Sequence, residues 1–342
     1  MAKDTNLPLL FAGALAVGEL VTACSTDGEG TGEHRETHDV ALAGVTTAIL
    51  LDDLHFSPTS RTVVVAPAGS HRVFRVAVDT GAATAFEEFG ARAASVDEAN
   101  GLLFVADRDA KLLHVVNVET RRIVSDVPLD STPDYVRYCP ISNEVWVTEP
   151  SDRRIEVFRF PFPGSPSLAR AALIPVGDGP EGLVFDTKQR RAFIHHYSPK
   201  LGVIDVDRRV LVADWPTGCE ASHGIPTVDE ARGLVFAGCR DRSRVAVLSS
   251  VDGRLLGERQ LGTGETVLAY SASLGHFYLR GDPGARILVL GIPASGNPVE
   301  LGAFVPAERG HVMAADDRGR LWAADPASGR LLRFEDPYPA TR

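Results

Sequence analysis

Residues Val96 to Asp134 read VDEANGLLFVADRDAKLLHVVNVETRRIVSDVPLDSTPD, and the reading of this stretch decides the fold. It contains three short apolar runs, Leu102 to Ala106, Leu112 to Val118 and Arg122 to Leu129, each alternating or rich in β-branched residues. Asn-Gly, Asp-Arg-Asp and Glu-Thr-Arg-Arg segments, all of them turn chemistry, bound the runs. A fourth run, Tyr135 to Tyr138, opens the next copy of the same pattern.

Outward from this stretch the pattern recurs along the chain. With the bulky residue of the second run as a ruler, the equivalents are Val64, Phe104, Trp146, Phe193, Phe236, Tyr278 and Trp322, at intervals of 40, 42, 47, 43, 42 and 44 residues. Seven copies near that spacing fit four-stranded propeller blades, which must stack radially because one blade cannot bury both of its faces. In the third copy the strands are expected at Tyr135 to Tyr138 (A), Glu144 to Thr148 (B), Arg154 to Phe158 (C) and about Ala171 to Val176 (D). After Trp322 only one further strand fits, Arg330 to Phe334, so the last blade lacks its outer strand. The segment Val40 to Thr46 stands in the right register to supply it and to remove an open edge. The expected fold is an all-β, seven-bladed β-propeller over residues 40–338, its last blade closed by the N-terminal strand.

Val176-Gly177-Asp178-Gly179-Pro180-Glu181-Gly182-Leu183-Val184, followed by Arg191-Ala192-Phe193-Ile194 and Leu201-Gly202-Val203-Ile204-Asp205-Val206, resembles the repeat of the YVTN-type seven-bladed propellers. The resemblance covers about Asp52 to Phe334. A literal Tyr-Val-Thr-Asn is missing; Leu103-Phe104-Val105-Ala106 and Val145-Trp146-Val147-Thr148 stand in its place. The family includes surface-layer proteins, binding scaffolds and lactonase-like enzymes, so the resemblance implies a fold without choosing an activity.

Residues 1–23 read as a lipoprotein-type signal peptide. An apolar run from Leu7 to Val17 follows Lys3 and leads into Val21-Thr22-Ala23-Cys24, which resembles the lipobox of bacterial lipoproteins. Cys24 would be the lipidated first residue of a protein held at the membrane by its lipid anchor, in the periplasm or on the surface of the cell envelope. Residues 24–39 are Gly-, Glu- and Thr-rich with almost no apolar side chain, and are expected to be a disordered tether. His34 and His38 in it read as solvated side chains.

The formal net charge is -10; Lys3, Asp4 and Glu19 contribute -1 before residue 24, leaving -9. Nucleic acid is an improbable partner for such a chain, because phosphate binding needs clustered cations. The pairs Arg121-Arg122, Arg153-Arg154 and Arg208-Arg209 fall at turns or strand starts and read as solvated. Cys219 and Cys239 fall at the start of strand A and the end of strand B of the fifth blade, where they either bridge or stay as two thiols; an exported chain favours the bridge. Cys139 reads as a small buried residue.

The first residue of each strand A is expected at one mouth of the central channel. Counting back about twelve residues from each ruler position gives Asp52, Arg92, Asp134, Glu181, His223, Glu265 and His311, all of them ionisable. Asp107, Glu149, His195, His196, Tyr197 and Asp325, which follow strand B, are expected on the same face. Such a ring can bind a ligand, can hold a calcium, zinc or magnesium ion through Glu181, His223, Glu265 and His311, can use His223 and His311 as acid-base groups, or can line a wet channel. No Gly-x-Ser-x-Gly elbow is present, and the glycines of Gly177-Asp178-Gly179 and Gly262-Thr263-Gly264 read as turns rather than phosphate loops. Phe160 to Pro166 reads as a Pro-rich C-to-D loop on the opposite face. The function expected is a binding scaffold for a protein or small-molecule ligand, with a metal-assisted, lactonase-like hydrolase or lyase at the channel mouth as the alternative.

Overall fold

The computed structural model describes residues 32–35, 38–45, 51–87, 89–90, 93–162, 164–240, 243–262, 266–281, 286–306, 310, 312–325 and 327–341. The expected signal peptide, Cys24, Arg92, Glu265 and His311 lie outside the described residues.

Seven sheets form the ring, and in blades 1 to 5 the strand order follows the chain from the innermost strand outwards; blades 6 and 7 do the same up to their outermost strands, which come from the N-terminal segment. Blade 3 comprises strands Val136–Cys139, Glu144–Glu149, Arg154–Arg159 and Ala169–Pro175. The innermost strands are Leu51–Ser57, Ala93–Ala99, Val136–Cys139, Pro180–Asp186, Thr227–Asp229, Thr266–Ser271 and Met313–Ala315, for blades 1 to 7. Tight turns join the strands because the residues at the bends tolerate a left-handed backbone. Asn100 and Gly101 have φ of 56° and 74°, as a two-residue hairpin with primed geometry requires.

Blade 7 closes as expected. Strand His38–Ala41 pairs antiparallel with Arg330–Glu335, Val40 opposite Leu331. Two strands nevertheless lie within the stretch read as a disordered tether. Gly32–Arg35 adds a fifth, parallel strand to blade 6 beside Val299–Val305, and strand His38–Ala41 begins before residue 40. The composition misleads there because the pairing uses backbone groups, which every residue carries. Beyond the last strand, residues 336–341 strap back across blade 6: Thr341 N donates to Leu274 O (2.8 Å), and buried His276 meets Asp336 at 2.8 Å.

The core is divided among the seven seams between blades, with one apolar cluster at each. All seven ruler residues are fully buried, and each packs in the seam with the following blade. An aromatic side chain removes ~150–250 Å² from water, about 4–6 kcal/mol of transfer free energy at ~25 cal/mol per Å². Ring pairs such as Phe236–Phe277, 4.7 Å between centroids, bind neighbouring blades together.

Candidate functional site

Each strand A runs from an entry face, which carries the D-to-A and B-to-C loops, to an exit face, which carries the A-to-B and C-to-D turns. The expected mouth ring lies on the entry face, and the structure brings its described members together in two groups.

Asp52 and Asp134 share one cation, Arg108, the residue after strand Leu102–Asp107. Arg108 Nη1 donates to Asp52 Oδ2 at 2.5 Å, and Nη2 donates to Asp134 Oδ1. Burial pushes the Asp134 carboxyl up, while the Arg108 charge opposes that rise. Glu181 and His223 form the second group: His223 Nε2 lies 3.9 Å from Glu181 Oε1, and Gly224 N donates to Glu181 Oε2 at 2.9 Å. His223 is buried, and its loop is clamped by the Cys219–Cys239 disulfide, Cα atoms 5.3 Å apart, and by a His223 N–Gly238 O hydrogen bond of 3.1 Å.

Behind these groups the void is about 30 Å³, room for roughly one water, bordered by Leu54, Tyr135, Ile225, Leu268 and Met313. Among the described residues no three His, Cys, Asp or Glu side chains are arranged to hold a metal ion. Of the expected metal set, only Glu181 and His223 fall within the described residues.

The residues at the ends of strand B do not join the ring, because they cap turns and bind strands. Asp107 accepts from the amides of Gly90, Asp109 and Ala110; it also faces His114, and these partners hold its carboxyl down to about 2. Asp325 accepts from Ala327 N and Arg330 Nε, and Glu149 from Ser131 N and Arg154 Nε. His195 donates from Nδ1 to Gly224 O (2.9 Å) and accepts at Nε2 from Gly238 N (3.3 Å). Those partners demand a neutral ring, and burial brings its pKa down to about 4. His196 Nε2 meets Asp214 at 2.9 Å. Only Tyr197 stays exposed, its hydroxyl pushed up to about 12 by burial and by the Asp134 and Glu181 charges. Two of the arginines read as solvated are also engaged: Arg154 with Glu149 and Arg209 with Glu144.

The exit end is open. A cavity of about 430 Å³ lies between the seven innermost strands and reaches the turns at Pro58, Asn100, Pro140 and Thr187. Leu54, Ile225, Leu268 and Met313 border both this cavity and the entry void, and so form an apolar partition between them. Blades 4 to 7 contribute apolar side chains such as Leu183, Phe185, Val228 and Ala314, whereas blades 1 to 3 contribute a polar cluster.

In that cluster Arg137 makes a bidentate pair with Asp53, at 2.8 and 2.7 Å, both side chains being buried. Ser95 Oγ donates to Asp53 Oδ2 at 2.5 Å and accepts from Val136 N at 3.0 Å. His55 Nε2 lies 3.2 Å from Asp97 Oδ1; Asp97 also accepts from the amides of Glu98 and Tyr138, each at 2.7 Å. Glu98 is held by Arg75 (2.9 Å) and Thr62 (2.7 Å).

Counting back to the first residue of strand A misses this cluster and Arg108. A signal was nonetheless present in the sequence: Asp53, Ser95 and Arg137 stand 42 and 84 residues apart, one and two repeats, at the same place in three successive blades.

No protein-family model matches the chain, and no curated protein matches it either. Solved structures match in fold. A chain of the mitotic checkpoint complex is similar at 13% identity over 95% of this chain and 99% of that one, with a TM-score of 0.73. The β-propeller domain of Cps50 (Swd1) from Myceliophteria thermophila shares 11% identity over 88% of this chain and 99% of its own, TM-score 0.70. A chain of Kuenenia stuttgartiensis hydrazine synthase shares 13% over 86% and 99%, TM-score 0.69. At these identities the likeness concerns the propeller fold alone.

Proposed function

We propose that this chain is an exported, lipid-anchored binding scaffold of the cell envelope that takes its ligand on the exit face. The open exit cavity carries the reading. Its volume of about 430 Å³ falls within the ~300–1,000 Å³ typical of ligand sites, and it joins an apolar arc to a few fixed polar groups. The same face carries the C-to-D loop of blade 3, where Phe162 is 63% exposed, an aromatic suited to a protein partner. Propellers of similar fold occur within the mitotic checkpoint complex, which supports an interaction role. Export is supported by the run from Leu7 to Val17, the Val21-Thr22-Ala23-Cys24 segment and a disulfide suited to an oxidising compartment. The YVTN-like repeats support an envelope protein of the same kind. A metal-assisted hydrolase or lyase would draw on the entry-end residues, where the void bordered by Asp52, Tyr135 and His223 is about 30 Å³.

Titration with the neutral fluorophore Nile red tests the reading. One saturable site is expected, weakened tenfold or more by Ala315→Phe, which fills the exit cavity, and kept by Arg108→Gln at the entry end. Binding that survives the first change and is lost in the second would overturn it.

A further inference from the structure

With the exit cavity as the ligand site, the reading on which this inference rests, the chemistry of its wall decides what can enter. The polar cluster behind the wall holds three carboxylates and two guanidiniums: two of the carboxylates are ion-paired, and the third, Asp97, is answered by backbone amides and a neutral imidazole. Asp53 is paired with Arg137 and bonded by Ser95. Glu98 is paired with Arg75 and bonded by Thr62. Asp97 receives two backbone amides and faces the His55 ring. An anionic ligand would meet a wall whose carboxylates outnumber its guanidiniums and would bear the cost of losing its water.

A polar atom of His55 on this wall is unused. A carboxylate oxygen 3.2 Å from Nε2 of His55 favours the ring proton on that nitrogen by its charge, which leaves Nδ1 as the acceptor. Burial lowers the His55 pKa against the opposing pull of the Asp97 charge, and the Arg137 charge adds to the lowering, so the ring is neutral near pH 7. The His55 side chain is 32% exposed and lines the cavity, and Nδ1 has no hydrogen-bond partner among the described residues. On the blade 5 wall Thr227 Oγ1 is buried and likewise has no partner among the described residues. Leu183, Phe185, Ile225 and Leu268, on blades 4 to 6, supply apolar lining around Thr227.

The geometry points to a ligand without negative charge, with an apolar, ring-sized body and a hydroxyl or N–H that donates to His55 Nδ1. Asp97 acts through His55 as a positioning residue. Specificity follows from the unpaired acceptor: a ligand without the donor strips water from Nδ1 and returns nothing.

The test uses the full chain and three probes of one shape: 1-naphthol, its methyl ether, and 1-naphthoate. Dissociation constants are measured by fluorescence at pH 7. Naphthol is expected to bind about five- to tenfold more tightly than the ether, a hydrogen bond's net worth, and more tightly than the anion. In His55→Leu the naphthol–ether difference should fall to less than twofold while the ether still binds. A second readout needs no variant: the Nδ1 nitrogen resonance of His55 should move when naphthol saturates the site and stay still with the ether. Equal binding of naphthol and ether would overturn the donor assignment while leaving the cavity as the site. Naphthoate binding as tightly as naphthol would overturn the exclusion of negatively charged ligands. Failure of all three probes would overturn the exit site itself.

Discussion

Asp52 and Asp53 are neighbours on one strand, and they serve opposite ends of the channel. Asp52 meets Arg108 at the entry rim, where the space behind is about 30 Å³; Asp53 is buried against Arg137 in a wall that encloses about 430 Å³. Both ends therefore use a carboxylate–guanidinium pair, so ion pairing does not decide which end is open. The other lining residues do. Tyr135, His223 and Val267 crowd the entry, whereas Ala99, Ala269, Ala314 and Ala315 line the exit. Small residues on the inner strands leave a hole, and the polar groups around it are useful because they are already paired and rigid.

The largest break in the comparison is expected from the exit wall. Arg137→Met leaves Asp53 buried without its partner and should cost about 3–5 kcal/mol in urea unfolding, much of it recovered by adding Asp53→Asn. At the entry, Arg108 is partly exposed, and its replacement by Gln should cost roughly 1 kcal/mol by the same measurement. If the entry change costs as much as the exit change, the two pairs are one kind of device rather than two.

The smallest effect concerns Glu149 on the entry face. Burial and the nearby Glu156 carboxylate push its pKa from 4.5 up to about 7, against the pull of Arg154. A carboxyl raised on folding contributes stability that is fully present below pH 4.5 and is lost as pH rises through about 7. Glu149→Gln should therefore gain stability over the parent as pH rises from 4.5 to 8, with the gap closing near pH 4.5. Thermal melts across that range check the sign; a gap widest at low pH would contradict it.

The ring was legible from the chain because repetition is a strong signal: the seven bulky residues at near-constant spacing all came to rest in seams. The disulfide was legible for a related reason, since strand topology puts Cys219 beside Cys239. The site was less so. A count back to the first residue of strand A found Asp52 and Asp134 but not the arginine between them, because Arg108 sits past the end of strand B and reaches across from another blade. The exit cavity was illegible for a different reason: a cavity is an absence of volume, and alanines on inner strands give no chemical cue. The strand over Gly32–Arg35 was hidden by a polar composition that says little about backbone pairing.

The seam of the ring also has a consequence in time. Asp39 meets Arg330, 291 residues further along the chain, where the outermost strand of blade 7 docks. A ribosome adding ~5–20 residues per second needs on the order of 15–60 seconds to cover that distance. Throughout that wait, strand His38–Ala41 has no partner, and blade 7 does not exist to receive it. The ring therefore cannot close before the last blade is made, and until then the edge that this strand covers has no partner of its own.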